Sequence, residues 1–127
     1  MNTGLAYTLV AVGGLLGSAA RYGVVRALRL PPVQGASFPL GTLAVNVLGT
    51  LVIAWVSARA GRAAWLTAEA RIFLTTGFCG GFTTFSSLML DVFQLGRERA
   101  WGLLIVYVSA TVLLGLGAFW LGDRLGR

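Results

Sequence analysis

Four long apolar runs, each long enough to cross a bilayer, organise this chain, and only short polar or proline-bearing connections separate them. Read at about 20 residues per crossing, they predict spans over Leu5–Leu28, Phe38–Ala58, Arg71–Leu95 and Trp101–Leu121. Between them, Arg29–Ser37 carries the turn-forming Pro31-Pro32 pair and Gly35, Arg59–Ala70 is polar and arginine-bearing, and Gly96–Ala100 is barely a turn. Nothing is left over for a soluble domain, no low-complexity stretch or fixed-period repeat stands out, and the first span lacks the basic leader of a secretory signal. The predicted class is an all-α membrane protein with one four-helix domain over residues 1–127.

The third run is interrupted where interruption is costly. Gly77-Phe78-Cys79-Gly80-Gly81-Phe82-Thr83-Thr84-Phe85-Ser86-Ser87 places three glycines and four hydroxyls near mid-span. Lipid offers backbone groups no hydrogen-bond partners, so an unwound segment at that depth persists only where protein buries it or where it lines a cavity. The third helix is therefore expected to break here. Glycines 77, 80 and 81 are expected to supply unusual backbone angles that turn carbonyls inward, where they suit a cation. A new half-helix is expected to start near Thr83-Thr84, with N–H groups and hydroxyls that suit an anion. A kinked helix whose Ser and Thr side chains patch their own backbone is the plainer alternative.

Polar positions on the other spans fall in register with that break. Thr42, Asn46 and Thr50 sit at i, i+4 and i+8 and share a face. Asn46 and the break both lie about 12 to 15 Å into their spans and so can meet near the midplane. The Asn46 amide can offer N–H to an anion, or simply join two helices. Tyr107, Thr111 and Gly115 repeat every four residues on the fourth span, and Gly13, Gly17 and Arg21 do so on the first, as a packing seam or as part of a path. Phe78, Phe82 and Phe85 flank the glycines, either as packing or as ring edges carrying the positive end of the aromatic quadrupole.

Composition sharpens this picture: 57% of residues are hydrophobic, 11% are charged, and the mean hydropathy is +0.82. All ten basic residues are arginines, against four acids. They cluster at span ends, where guanidinium meets headgroups, so the net charge of +6 does not point to nucleic acid. With four spans, Arg59, Arg62, Arg71, Arg124 and Arg127 share one side, while Arg26, Arg29, Arg97 and Arg99 share the other. Five against four, with Arg21 inside the first span, is almost no orientation signal, so the chain can insert both ways and two opposed copies can pair as an antiparallel homodimer; one orientation set by insertion kinetics or by the first helix alone is the plainer alternative. Histidine is absent, Cys79 is the lone cysteine, and the acids Glu69, Asp91, Glu98 and Asp123 are read as lying away from the middles of the spans. That removes metal clusters, catalytic dyads and Cys–His nucleophiles, and an enzyme is not expected.

Three segments, Gly13-Gly14-Leu15-Leu16-Gly17-Ser18-Ala19-Ala20-Arg21-Tyr22, Gly41-Thr42-Leu43-Ala44-Val45-Asn46, and Thr76 through Ser87, resemble the signatures of the Fluc (CrcB) fluoride channels. The resemblance spans the whole chain. It implies an antiparallel, dual-topology homodimer in a prokaryotic inner membrane, with two fluoride pathways and passive export that protects the cell from fluoride. It also implies a broken third helix and a structural sodium ion at the dimer interface, held by the carbonyls of Gly80 and Thr83. By the same matching, Asn46 corresponds to the pore asparagine, Phe85 to the first ring of an aromatic ladder, Tyr107 to the pore tyrosine and Arg21 to an arginine at the aqueous vestibule. The implied fluoride track runs past Asn46, the hydroxyls of Thr42, Ser87, Tyr107 and Thr111, and ring edges. Leu88 stands where many members have a second ladder phenylalanine, a loss Phe82 offsets only if its backbone turns it inward, and Thr111 stands where members have serine.

The main rival is a small multidrug-type antiporter of similar length. It needs a membrane-embedded carboxylate, and the first 68 residues contain no acid. A structural assembly subunit, whose polar faces only pack helices, is the other.

Overall fold

The computed structural model describes residues 1–33 and 35–127 and is helical almost throughout. Helix α1 spans Thr3–Ala27 and α2 spans Leu40–Arg59. The third crossing is composite: α3 (Ala68–Ile72), a π-helical stretch (Phe73–Cys79), one short turn α4 (Gly80–Phe82), and α5 (Phe85–Arg97). Helix α6 spans Trp101–Gly126. Each crossing lies within a few residues of its predicted run, and the last continues beyond Leu121. Mean hydropathy is lowest, 1.2, in the third crossing, where the polar segment sits. Leu15, Leu113 and Leu116 are strongly exposed, as expected for side chains that face lipid. The chain is a multi-pass integral membrane protein.

Glycine sets how closely these helices approach. A Cβ on Gly77 would stand 3.0 Å from the Cα of Gly13, and one on Gly81 would stand 2.5 Å from the carbonyl oxygen of Gly14, so α1 lies against the third crossing backbone to backbone. Gly122 and Gly126 seat α6 on α2 beside Ala54 and Ala58 in the same way. The Gly13 and Gly17 face of α1 is thus a packing seam.

The break itself differs from the sequence expectation. Gly80 is helical, with φ −61° and ψ −37°, and among the described glycines only Gly35 and Gly61 take positive φ. The glycines at 77 and 81 serve close approach, while Thr83 (φ −86°, ψ 158°) and Thr84 (φ −154°, ψ 125°) carry the extended backbone. Branching at Cβ favours that conformation. The preceding π-helical stretch widens the helix before it ends, and such stretches are frequent where function sits.

Candidate functional site

Hydrogen bonds at the break come from three elements. Thr83 N–H and Oγ1 both donate to the Cys79 carbonyl, each at 2.9 Å, closing the first half of the crossing. Thr84 Oγ1 accepts the Ser87 N–H at 3.2 Å and starts α5, as an N-cap should. Asn46 then spans the gap: its Oδ1 accepts the Thr84 N–H at 2.7 Å, and its Nδ2 donates to the Thr84 carbonyl at 3.1 Å. A single side-chain amide imitates a strand neighbour for one extended residue. Since Thr84 N is a donor, Oδ1 must face it, and one Asn46 N–H remains for another acceptor.

Arg21 reaches the same segment from α1. Its Nε donates to the Gly81 carbonyl at 3.0 Å, and Ser18 Oγ approaches that oxygen at 3.5 Å. The break leaves carbonyls outside the ladder, those of Gly80 and Thr83 among them. Thr84 N–H, which would have continued the helix to Gly80, goes to Asn46, and Ser87 N–H, which would have continued it to Thr83, goes to the Thr84 hydroxyl.

A cleft of about 270 Å³ opens over the break, lined by Asn46, Thr50, Thr84, Phe85, Leu88 and Thr111. Phe85 is 72% exposed. A second cavity of about 230 Å³ lies one turn along α2, lined by Arg29, Thr42, Asp91, Gln94 and Glu98. Tyr107 joins the two. It is fully buried and edge-on to Phe38, its hydroxyl donates to Asp91 Oδ2 at 2.9 Å, and its carbonyl accepts from Thr111 Oγ1 at 2.8 Å.

The fold thus gathers Asn46, Phe85, Leu88 and Thr111 at one cleft and Thr42 at the second cavity, while the buried Tyr107 lines neither and touches both through Thr111 and Asp91. Ser87 does not line either cavity; its hydroxyl accepts from Thr84 Oγ1 at 3.1 Å. Phe82 is stacked on Phe78 with ring centroids 5.6 Å apart and lies against Gly49, away from the cleft.

Asp91 lies away from the middle of the third crossing, as the sequence predicts, yet it holds the buried tyrosine hydroxyl. Its spacing carried a usable signal, because Thr84, Leu88 and Asp91 recur at helical intervals on one face. Ser18, three residues before Arg21, went unnoticed for want of any pattern that tied α1 to the break.

Residues 8–123 match the family model described as CrcB-like protein, Camphor Resistance (CrcB). The chain is 42% identical over 119 residues to Fluoride-specific ion channel FluC 1 of Geobacillus kaustophilus, covering 93% of this chain and 95% of that protein. It is 42% identical to Fluoride-specific ion channel FluC of Chlorobaculum tepidum, covering 94% of this chain and 92% of that one. The FluC of Agrobacterium fabrum is 43% identical, with 94% of each chain covered. A family model that spans nearly the whole chain, together with relatives matched almost end to end, leads to one conclusion: this protein belongs to the CrcB-like family.

Proposed function

We propose that the protein is a fluoride-selective channel that lets fluoride leave the cell passively, working as an antiparallel, dual-topology homodimer in a bacterial inner membrane. The observation that carries this reading is the amide of Asn46 bound to a break in the third crossing, in a chain whose relatives bear the name fluoride-specific ion channel. No chemistry is catalysed.

Fluoride is small and strongly hydrated, so a selective path has to exchange its water for fixed donors while staying too narrow for larger halides. The cavity at Arg29 and Thr42 supplies the mouth, where the Arg29 guanidinium stands beside the carboxylates of Asp91 and Glu98. From there the ion meets the Thr42 hydroxyl, then the free N–H of Asn46 and the edge of Phe85, with the Thr111 hydroxyl, whose hydrogen goes to the Tyr107 carbonyl, on the same wall. Tyr107 has one hydroxyl hydrogen, and Asp91 holds it. The phenol becomes a donor to fluoride only by letting go of that carboxylate. Arg21, tied to Gly81, contributes positive charge behind the break, and Ser87 supports it through Thr84.

Pairing follows from cost. A cleft lined by an amide and hydroxyls is unfavourable against lipid, and the exposed Phe85 beside it is a natural surface for a second copy to cover. The nearly even arginine count on the two sides permits opposite insertion. The carbonyls of Gly80 and Thr83 fit a sodium ion: their ladder donors are diverted, and two inverted copies would together offer four such oxygens. A bound sodium would offset the aligned carbonyl dipoles.

Liposomes read with a fluoride electrode test the reading: fluoride efflux without chloride efflux supports it, and equal efflux of both halides or none rejects it. Within that assay, Tyr107→Phe is expected to lower flux about tenfold, since it leaves the half-buried Asp91 carboxylate without its donor. Asp91→Asn added to Tyr107→Phe should recover part of that loss. Strictly additive losses would separate the two residues.

A further inference from the structure

We propose that Arg59 and Arg71, at the end of the bundle where α2 closes and the third crossing begins, hold the phosphate of an anionic phospholipid. Five arginines share this end, and among the described residues only Arg127 has a carboxylate partner, Asp123 at 2.7 Å. With Glu69 and Asp123 as the acids there, the side chains leave an excess of three positive charges. The Arg59 guanidinium lies 5.7 Å from the centroid of Trp55, and its Nε is buried with no acceptor, so only its terminal nitrogens are left to meet a group outside the protein.

The chain carries both arginines to one turn. Arg59 immediately precedes the Ala60-Gly61 turn, and Arg71 lines a cavity of about 200 Å³ under that same turn, together with Leu66 and Thr67. Trp55, which carries the Arg59 guanidinium, pairs with Trp65 at a centroid distance of 6.0 Å, and Trp65 is largely exposed. Indoles settle at the headgroup boundary, so the two guanidinium groups lie at the depth of lipid phosphate. Arginine's planar fork suits a phosphate diester. Charge complementarity favours an anionic headgroup over a zwitterionic one.

The test is retention of phosphatidylglycerol by the purified protein, compared with phosphatidylcholine, by mass spectrometry of the intact assembly. Wild-type protein is expected to keep phosphatidylglycerol selectively, and the Arg59→Gln and Arg71→Gln variants to lose it about fivefold for each charge removed. An Arg97→Gln and Arg99→Gln pair, at the opposite end, should retain it as wild type does. Equal retention of both lipids by wild type, equal losses from both arginine pairs, or displacement by inorganic phosphate would each overturn the site. Unchanged fluoride flux in the Arg59 and Arg71 variants shows that they are folded. If wild-type flux itself fails, lipid retention still decides this proposal.

Discussion

Asn46→Asp is expected to reduce fluoride flux by at least about a hundredfold while leaving the helical content intact. In the native protein Nδ2 donates to the Thr84 carbonyl and Oδ1 accepts from the Thr84 N–H. A carboxylate keeps the second bond, loses the first, and faces a carbonyl oxygen across about the same gap. It also withdraws the spare N–H and sets a negative charge beside the route of an anion. An uncompensated buried charge costs about 3–5 kcal/mol, and each 1.4 kcal/mol is about tenfold, so a hundredfold is the lower end of the range. Flux within about twofold of wild type, in vesicles shown to contain the protein, would remove Asn46 from the path. Asn46→Gln is a useful companion, since it keeps the amide and moves it by one methylene.

The second large effect concerns the seam between α1 and the third crossing. Gly17→Ala is expected to destabilise the fold by about 3 kcal/mol or more, because the added carbon runs into the Phe78 carbonyl and stands 2.9 Å from Phe82 N. Both neighbours are backbone, so no rotamer change relieves the contact. Relief requires α1 to move away, which would carry Arg21 and Ser18 off the Gly81 carbonyl. Gly23 on the same helix is the control: nothing lies within 4 Å of an added Cβ there, and Gly23→Ala should stay within about 0.5 kcal/mol of wild type. Thermal unfolding in detergent, followed by circular dichroism, compares the two. Equal midpoints would show that the seam is looser than its geometry implies.

Much of this architecture is legible in the chain because a bilayer imposes few solutions on an apolar run. The four crossings, the interruption of the third, and the meeting of Asn46 with it follow from run length, from the cost of unsatisfied backbone in lipid, and from helical rise. The role of Gly77 and Gly81 was harder to read, since the same residue permits positive φ and permits close approach, and only the position of α1 decides between them. Asp91 illustrates a different limit. Its nearness to a span end makes it look peripheral, whereas its partner Tyr107 lies on another helix, sixteen residues away, and no local pattern links them. The arrest of Tyr107's only hydroxyl hydrogen by Asp91 could be found only from the packed helices.

Arg21, Ser18 and Asn46, the side chains that satisfy the interrupted segment, all precede it in the chain. During synthesis the first two crossings therefore leave the insertion machinery before the third one does. The awkward stretch never has to wait in hydrocarbon for help from downstream, because its acceptors and donors are already resident when it arrives. Moving the third crossing to the front of the gene would reverse that order and expose bare peptide groups to lipid at the most vulnerable stage of biogenesis.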